Sequence, residues 1–145
     1  MDIRRLPTPF GLLCGLVVLA GCSQSYAVAG LFEGGGPIFH GTVSVSMGQS
    51  GSLEIHSPDG RIHCTGESHI GKLPSGYSVI GAQGSATATC NDGRRFKIDF
   101  IQSSTTGGRG QGIDDRGNIV QIYFDRSDGL ARSLLDQHRL NALVQ

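Results

Sequence analysis

The residues best equipped for chemistry are the histidines His40, His56, His63 and His69, with Glu54 among them. If the short runs Leu53–His56 and Arg61–Cys64 pair as a hairpin with an even-membered loop, Glu54, His56 and His63 share one outward face. Two imidazoles and a carboxylate are a ligand set for zinc or copper. Arg61 stands in the middle of that face and opposes a cation, so the expected reading is a solvated polar face without a metal. Asp114-Asp115-Arg116-Gly117-Asn118 offers oxygen ligands, but it lacks the alternating acidic spacing and closing glutamate of a calcium loop and reads as a turn. Serines are numerous, yet there is no G-x-S-x-G motif. Nothing in the spacing of Glu54, Glu67 and Asp99 points to a paired-carboxylate hydrolase. The expectation is a protein that is not an enzyme, with no catalytic residue, metal or cofactor.

The beginning of the chain carries a sharper signal. Met1-Asp2-Ile3-Arg4-Arg5 is a short positive stretch, and Phe10 to Ala20 is apolar all round and too short to span a bilayer. It ends in Leu19-Ala20-Gly21-Cys22, which resembles the lipobox of bacterial lipoproteins. That resemblance implies a signal peptide over residues 1–21, cleaved before Cys22, and lipid attachment at Cys22, with palmitate among the acyl chains. Three chains exceed the two that stable anchoring requires. Ser23 rather than Asp follows the cysteine. In Gram-negative lipoproteins this implies the outer membrane, with the protein in the cell envelope, held in the inner leaflet and facing the periplasm.

The resemblance also orders the four cysteines. Cys14 leaves with the signal peptide and Cys22 takes the lipid, so Cys64 and Cys90 remain as an even pair in an oxidising compartment, where a disulfide is expected. Closing a loop of about 27 residues would stabilise the fold by about 3.5 kcal/mol on the chain-entropy estimate. Removing the leader also takes Arg4, Arg5 and Asp2, which leaves ten basic against eleven acidic residues. That balance, with no Lys/Arg cluster, excludes nucleic acid as a partner.

With 145 residues, the chain holds one domain after cleavage. Its 23 glycines and absence of Trp favour short strands and turns over long helices. Residues 22–37, rich in small side chains and containing Gly34-Gly35-Gly36, read as a flexible tether, with Leu31 and Phe32 as a pair that docks on the domain. Residues 38–126 read as an antiparallel β domain. Phe39, Gly41, Val43, Val45 and Met47 alternate with His40, Thr42, Ser44 and Ser46 in the period of a strand. Ser57-Pro58-Asp59-Gly60 marks a turn, and whether its loop is odd or even is left open. Residues 66–82 read as a long connection.

The best-determined hairpin is Gly84 to Phe100. With Asn91-Asp92-Gly93 as its loop, Cys90 meets Arg94, Ala88 meets Phe96, Ala86 meets Ile98 and Gly84 meets Phe100. Gly108, Gly110 and Gly112 then leave one face of a strand bare, so another sheet, a helix or a bulky aromatic must approach closely, or the face is the floor of a ligand groove. Ser127 is placed to cap an amphipathic helix over 127–145, with Leu130, Ala131, Leu134, Leu135 and His138 at helical spacing. The expected fold is all-β with one C-terminal helix packed on it: a small antiparallel meander barrel or sandwich of seven to eight strands.

Ser75-Gly76-Tyr77, followed by a strand ending in Cys90, resembles the inhibitory loop of periplasmic C-type lysozyme inhibitor lipoproteins, small disulfide-bearing β-barrels that insert a Ser-Gly-x-x-Tyr loop into the lysozyme cleft; here Tyr follows Gly directly. It marks these three residues as a candidate inhibitory or binding loop. The functional expectation is a lipid-anchored envelope lipoprotein whose β domain is a non-catalytic binding or structural module. Its partners would be the membrane, through the N-terminal lipid, and an envelope protein or glycan. The alternative is a lysozyme-inhibitor-like protein, with a hydrolase or metal-binding protein a second alternative.

Overall fold

The computed structural model describes residues 23–34, 36–46, 50–76 and 78–144. The expected leader 1–21, Cys22, where lipid attachment is expected, and Tyr77 lie outside the described residues. Eight strands run in chain order: β1 (Ser23–Phe32), β2 (Ile38–Ser46), β3 (Ser50–His56), β4 (His63–Lys72), β5 (Gln83–Cys90), β6 (Arg95–Gln102), β7 (Gly107–Asp114) and β8 (Ile119–Asp125). Each pairs antiparallel with its neighbour, and β1 pairs with β8 to close a barrel. Closure leaves no edge strand to recruit another chain. Among the described residues one helix, α1 (Asp128–Leu143), follows. All the ladders and the helix of the described residues fall within residues 23–143.

Residues 23–32 are not a tether. They form β1, paired with β2 from Ser23↔Ser46 to Leu31↔Ile38 and with β8 from Ala27↔Asp125 to Phe32↔Val120. Gln24, Tyr26 and Val28 alternate into the cavity, and Phe32 is buried in the core beyond them. The alternation was hidden because the opposite face is apolar too: Ala27, Ala29 and Leu31 point outward and are covered by α1 through Ala131 and Leu135. A strand buried on both faces loses the polar half of its pattern. Only residues 33–37 connect, and Gly34 takes the turn at φ 84°.

The second correction is smaller. Residues 66–72, read as part of a long connection, continue β4 against β5 up to Ile70↔Gly84. Their inward positions include Gly66 and Ser68, too small or too polar to register as a hydrophobic period. The open question about the β3–β4 hairpin resolves as an even loop of six residues, 57–62, so that Ile55 faces Cys64 and His56 faces His63. Ser57 and Asp59 hold that loop: the Ile62 amide donates to Ser57 Oγ at 3.0 Å and the Arg61 amide to Asp59 Oδ1 at 3.1 Å.

The β5–β6 hairpin has the register expected from its turn, with Ala88↔Phe96, Ala86↔Ile98 and Gly84↔Phe100. The Cys90 amide donates to the Arg94 carbonyl at 2.8 Å. Gly93 carries φ 86°, a left-handed conformation that favours glycine. The glycine face of β7 lies inside the barrel, and aromatic and aliphatic side chains take its space. A Cβ on Gly108 would fall 2.6 Å from the Phe124 ring, and one on Gly110 would fall 2.8 Å from Ile98 Cγ2. The backbone of β6 and bulky side chains, not a ligand groove, are what approach these glycines. The helix starts at Ser127, whose Oγ accepts from the Leu130 amide, and lies on the outer surface of β1 and β8.

Candidate functional site

Eight strands enclose an interior that side chains either fill or leave just wide enough for one small ligand. Here the filling is uneven. Because the strands alternate in direction, one end of the barrel carries the connections 33–37, 57–62, 91–94 and 115–118. The other carries Ser23, the connections 73–82 and 103–106, and residues 126–127, which lead from β8 into α1. The first end is sealed and is called the floor; the second is the rim.

Phe32 packs against Phe39 and Phe96 at the floor, with centroids 5.4 and 5.7 Å away. Below them the Arg94 guanidinium covers the Phe32 ring at 4.3 Å. Its side chain is 11% exposed and lies between Asp92, at 3.3 Å, and Asp114, at 3.7 Å. Asp114 is buried. Burial alone would push its carboxyl up, but the Asn118 side chain and amide, the Arg116 amide and the Arg94 charge together hold it below the ordinary range. The sulfur atoms of Cys64 and Cys90 lie 2.06 Å apart across β4 and β5 at this same end.

Above the aromatic layer is a cavity of about 130 Å³. Val28, Ile55, Ile98 and Ile122 form its walls, and Ala86 is the small side chain that leaves room for it. Tyr26 and Phe100 each stack edge-on against Phe124, at 5.8 and 5.7 Å. Polar groups enter only toward the rim, where Gln24, Gln102 and the Tyr26 hydroxyl stand; that hydroxyl donates to Gln24 Oε1 at 2.9 Å. Leu73 and Val79 line the entrance, and they are 55% and 45% exposed. An apolar chamber with a few polar groups at its mouth is the usual form of a small-molecule site.

The sequence-derived candidates do not meet in this chamber. Ser75 and Gly76 lie on the exposed rim connection. Glu54, His56 and His63 share an outward face, with Glu54 Oε1 3.0 Å from His63 Nε2, but Glu54 pairs with Thr65 and His56 is the residue opposite His63. His40 lies on β2 beside α1, its pKa lowered by burial first and then by Arg132. His69 sits near the rim end of β4, exposed. Among the described residues no three His, Cys, Asp or Glu side chains gather as a metal site. Asp114 to Asn118 form a turn held by the Asp114 carboxylate. Sequence reasoning missed the cavity. Its one available signal was the imbalance between Gly84-Ser85-Ala86-Thr87-Ala88 and the large side chains facing them.

No family model matches this chain, and no curated protein matches it. Solved structures similar to it include a de novo designed fluorescence-activating β-barrel, at 16% identity and a TM-score of 0.52 over 71% of this chain and 91% of that one. A redesigned β-barrel is similar at 14% identity and a TM-score of 0.52, over 71% of this chain and 89% of that one. At these identities the likeness speaks for the fold alone.

Proposed function

We propose that this protein is a lipid-anchored envelope lipoprotein whose barrel is a non-catalytic binding module for a small apolar molecule held in the interior. The observation that carries the binding reading is the apolar cavity of about 130 Å³ opening at the rim. An engineered cavity of about 150 Å³ accepts benzene, so the enclosed part takes one ring or the end of one chain, and the rest of a larger molecule stands in the open mouth. The described side chains that line it are apolar apart from Gln24, Gln102 and Tyr26, which suits retention of an apolar guest. The floor supports the role by being rigid: a disulfide-distance pair, an aromatic layer and the Arg94–Asp114 contact close it.

The test is binding of a naphthalene-based fluorophore by residues 23–145. Saturable enhancement is expected, and Ala86→Phe should remove it by filling the chamber. No enhancement by the wild type would sink the reading. Ile98→Ala, which enlarges the same space, should admit a bulkier dye. The anchor has its own test: radiolabelled palmitate should enter the wild type but not Cys22→Ser, and equal labelling would defeat it.

A second reading rests on the exposed position of Ser75 and Gly76 at the rim. Here the connection 73–82 enters the cleft of a C-type lysozyme. Tyr77→Ala should abolish inhibition, and a wild type that slows no such enzyme overturns it.

A further inference from the structure

The two ends of the barrel differ in charge as well as in closure. At the floor, the connections 33–37, 57–62, 91–94 and 115–118 each contain charged residues: Glu33, Asp59 and Arg61, Asp92 and Arg94, Asp115 and Arg116. At the rim, the connections 73–82 and 103–106 contain none, and the exposed charges of that end, Lys72, Arg126 and Asp128, stand where β4 ends and where β8 leads into α1. The longer of the two connections exposes Leu73, Val79 and Ile80 at 55%, 45% and 47%, and Leu73 and Val79 also line the entrance to the cavity. The exposed apolar surface and the interior are therefore continuous. Charged groups resist transfer into an apolar phase, whereas uncharged loops with aliphatic side chains settle at the boundary of headgroups and acyl chains. Of the two ends, the rim enters a bilayer surface at the lower cost, along the side formed by the connection 73–82.

Chain direction brings the membrane to the same end. β1 runs from rim to floor, so Ser23 stands at the rim, directly after Cys22 and the apolar run Phe10–Ala20. Whether that run is kept or replaced by a lipid on Cys22, the hydrophobic attachment joins the barrel where the cavity opens. Lys72, at the rim end of β4 and exposed, places a positive charge at headgroup depth.

From this arrangement we infer that the rim faces the bilayer and that the cavity takes the end of a single acyl chain from a bilayer phospholipid. This rests on the reading that the cavity binds a small apolar group, and it names that group. A chain end meets Tyr26, Phe100 and Phe124 inside, while Gln24 and Gln102 remain near the more polar portion at the mouth.

The experiment places the full chain in vesicles of phosphatidylethanolamine and phosphatidylglycerol doped with a phospholipid carrying a diazirine at its acyl terminus. After irradiation, adducts are mapped by mass spectrometry. Adducts are expected on cavity residues such as Val28 and Ile98, and on Leu73 and Val79 at the rim. Ala86→Phe should lose the cavity adducts and keep those at the rim. Ile80→Asp should lose both in vesicles, while residues 23–145 with the same substitution still bind the naphthalene fluorophore. Rim adducts alone, with fluorophore binding intact, would overturn the acyl-chain occupant but leave the binding cavity standing. Cavity adducts seen only with Cys22→Ser would give the site to the protein's own lipid and overturn the proposal. Adducts confined to the floor would overturn the orientation.

Discussion

The Arg94 guanidinium lies 4.3 Å from the centroid of the Phe32 ring, joining the β5–β6 turn to the end of β1 across the barrel floor. Phe32 is 2% exposed, with Phe39 and Phe96 against it. A side chain so placed belongs to the core and not to a spacer. Phe32→Ala should destabilise the protein by about 3–5 kcal/mol, the usual cost of an aromatic truncated in a packed interior. Urea denaturation measures this. A change of only a few tenths of a kcal/mol would show that residues 23–32 are dispensable for the fold.

Asp114 makes the floor sensitive to acid. Its carboxyl is held below the ordinary value of 3.8 against the pull of burial, by Asn118, the Arg116 amide and Arg94. For a carboxylate depressed in the folded state, the stabilisation is complete above the ordinary value and is lost as pH falls through the lower, folded one. Stability should therefore fall steeply below about pH 3.8 in the wild type and less steeply in Asp114→Asn. At neutral pH that substitution should cost about 1–3 kcal/mol, because Arg94 loses its buried counter-charge and the Asn118 amide group meets another donor. Parallel acid-side slopes for the two proteins would remove Asp114 from the account.

Cys64 and Cys90 face one another on β4 and β5 with sulfurs 2.06 Å apart. Peptide mapping without reductant should recover the two cysteines linked, and reduction should lower stability by about 3.5 kcal/mol for a loop of this length. Recovery of both as free thiols refutes the bond.

How far the sequence disclosed this fold depended on whether burial was one-sided. The β5–β6 hairpin was legible because Thr87 and Thr89 are exposed while Ala86, Ala88 and Cys90 are buried, and because Gly93 fixed the turn. Helix α1 was legible through Ser127 and the spacing of Ala131 and Leu135. β1 was not, since α1 covers Ala27, Ala29 and Leu31 and removes the polar face that periodicity needs. The cavity was hidden for another reason. It depends on how side chains from several strands sum across the barrel, as where Ala86 meets Ile98 beneath Phe100 and Phe124. Local pattern carries no record of a total volume. The rim loop was marked by Ser75-Gly76-Tyr77, yet the residues that join it to the interior are Leu73 and Val79.

Two glycines separate inward packing from simple chain flexibility. Gly110 on β7 has no room: an added Cβ would lie 2.8 Å from Ile98 Cγ2 and 2.9 Å from both the Asp99 carbonyl oxygen and Phe100 Cβ. Gly71, near the rim end of β4, has nothing within 4 Å. If close approach dictates glycine in β7, Gly110→Ala should destabilise by about 1–3 kcal/mol, as overpacking does. Gly71→Ala relieves chain entropy without a clash, and it should be neutral or stabilising by about 0.4–1 kcal/mol. Thermal melts of the two variants decide the matter. Equal, small effects would mean that β7 stands further from β6 than the register Gly110↔Phe100 requires. A loss confined to Gly110→Ala would show that the barrel wall is thin there because Ile98 and Phe100 on β6 take the space.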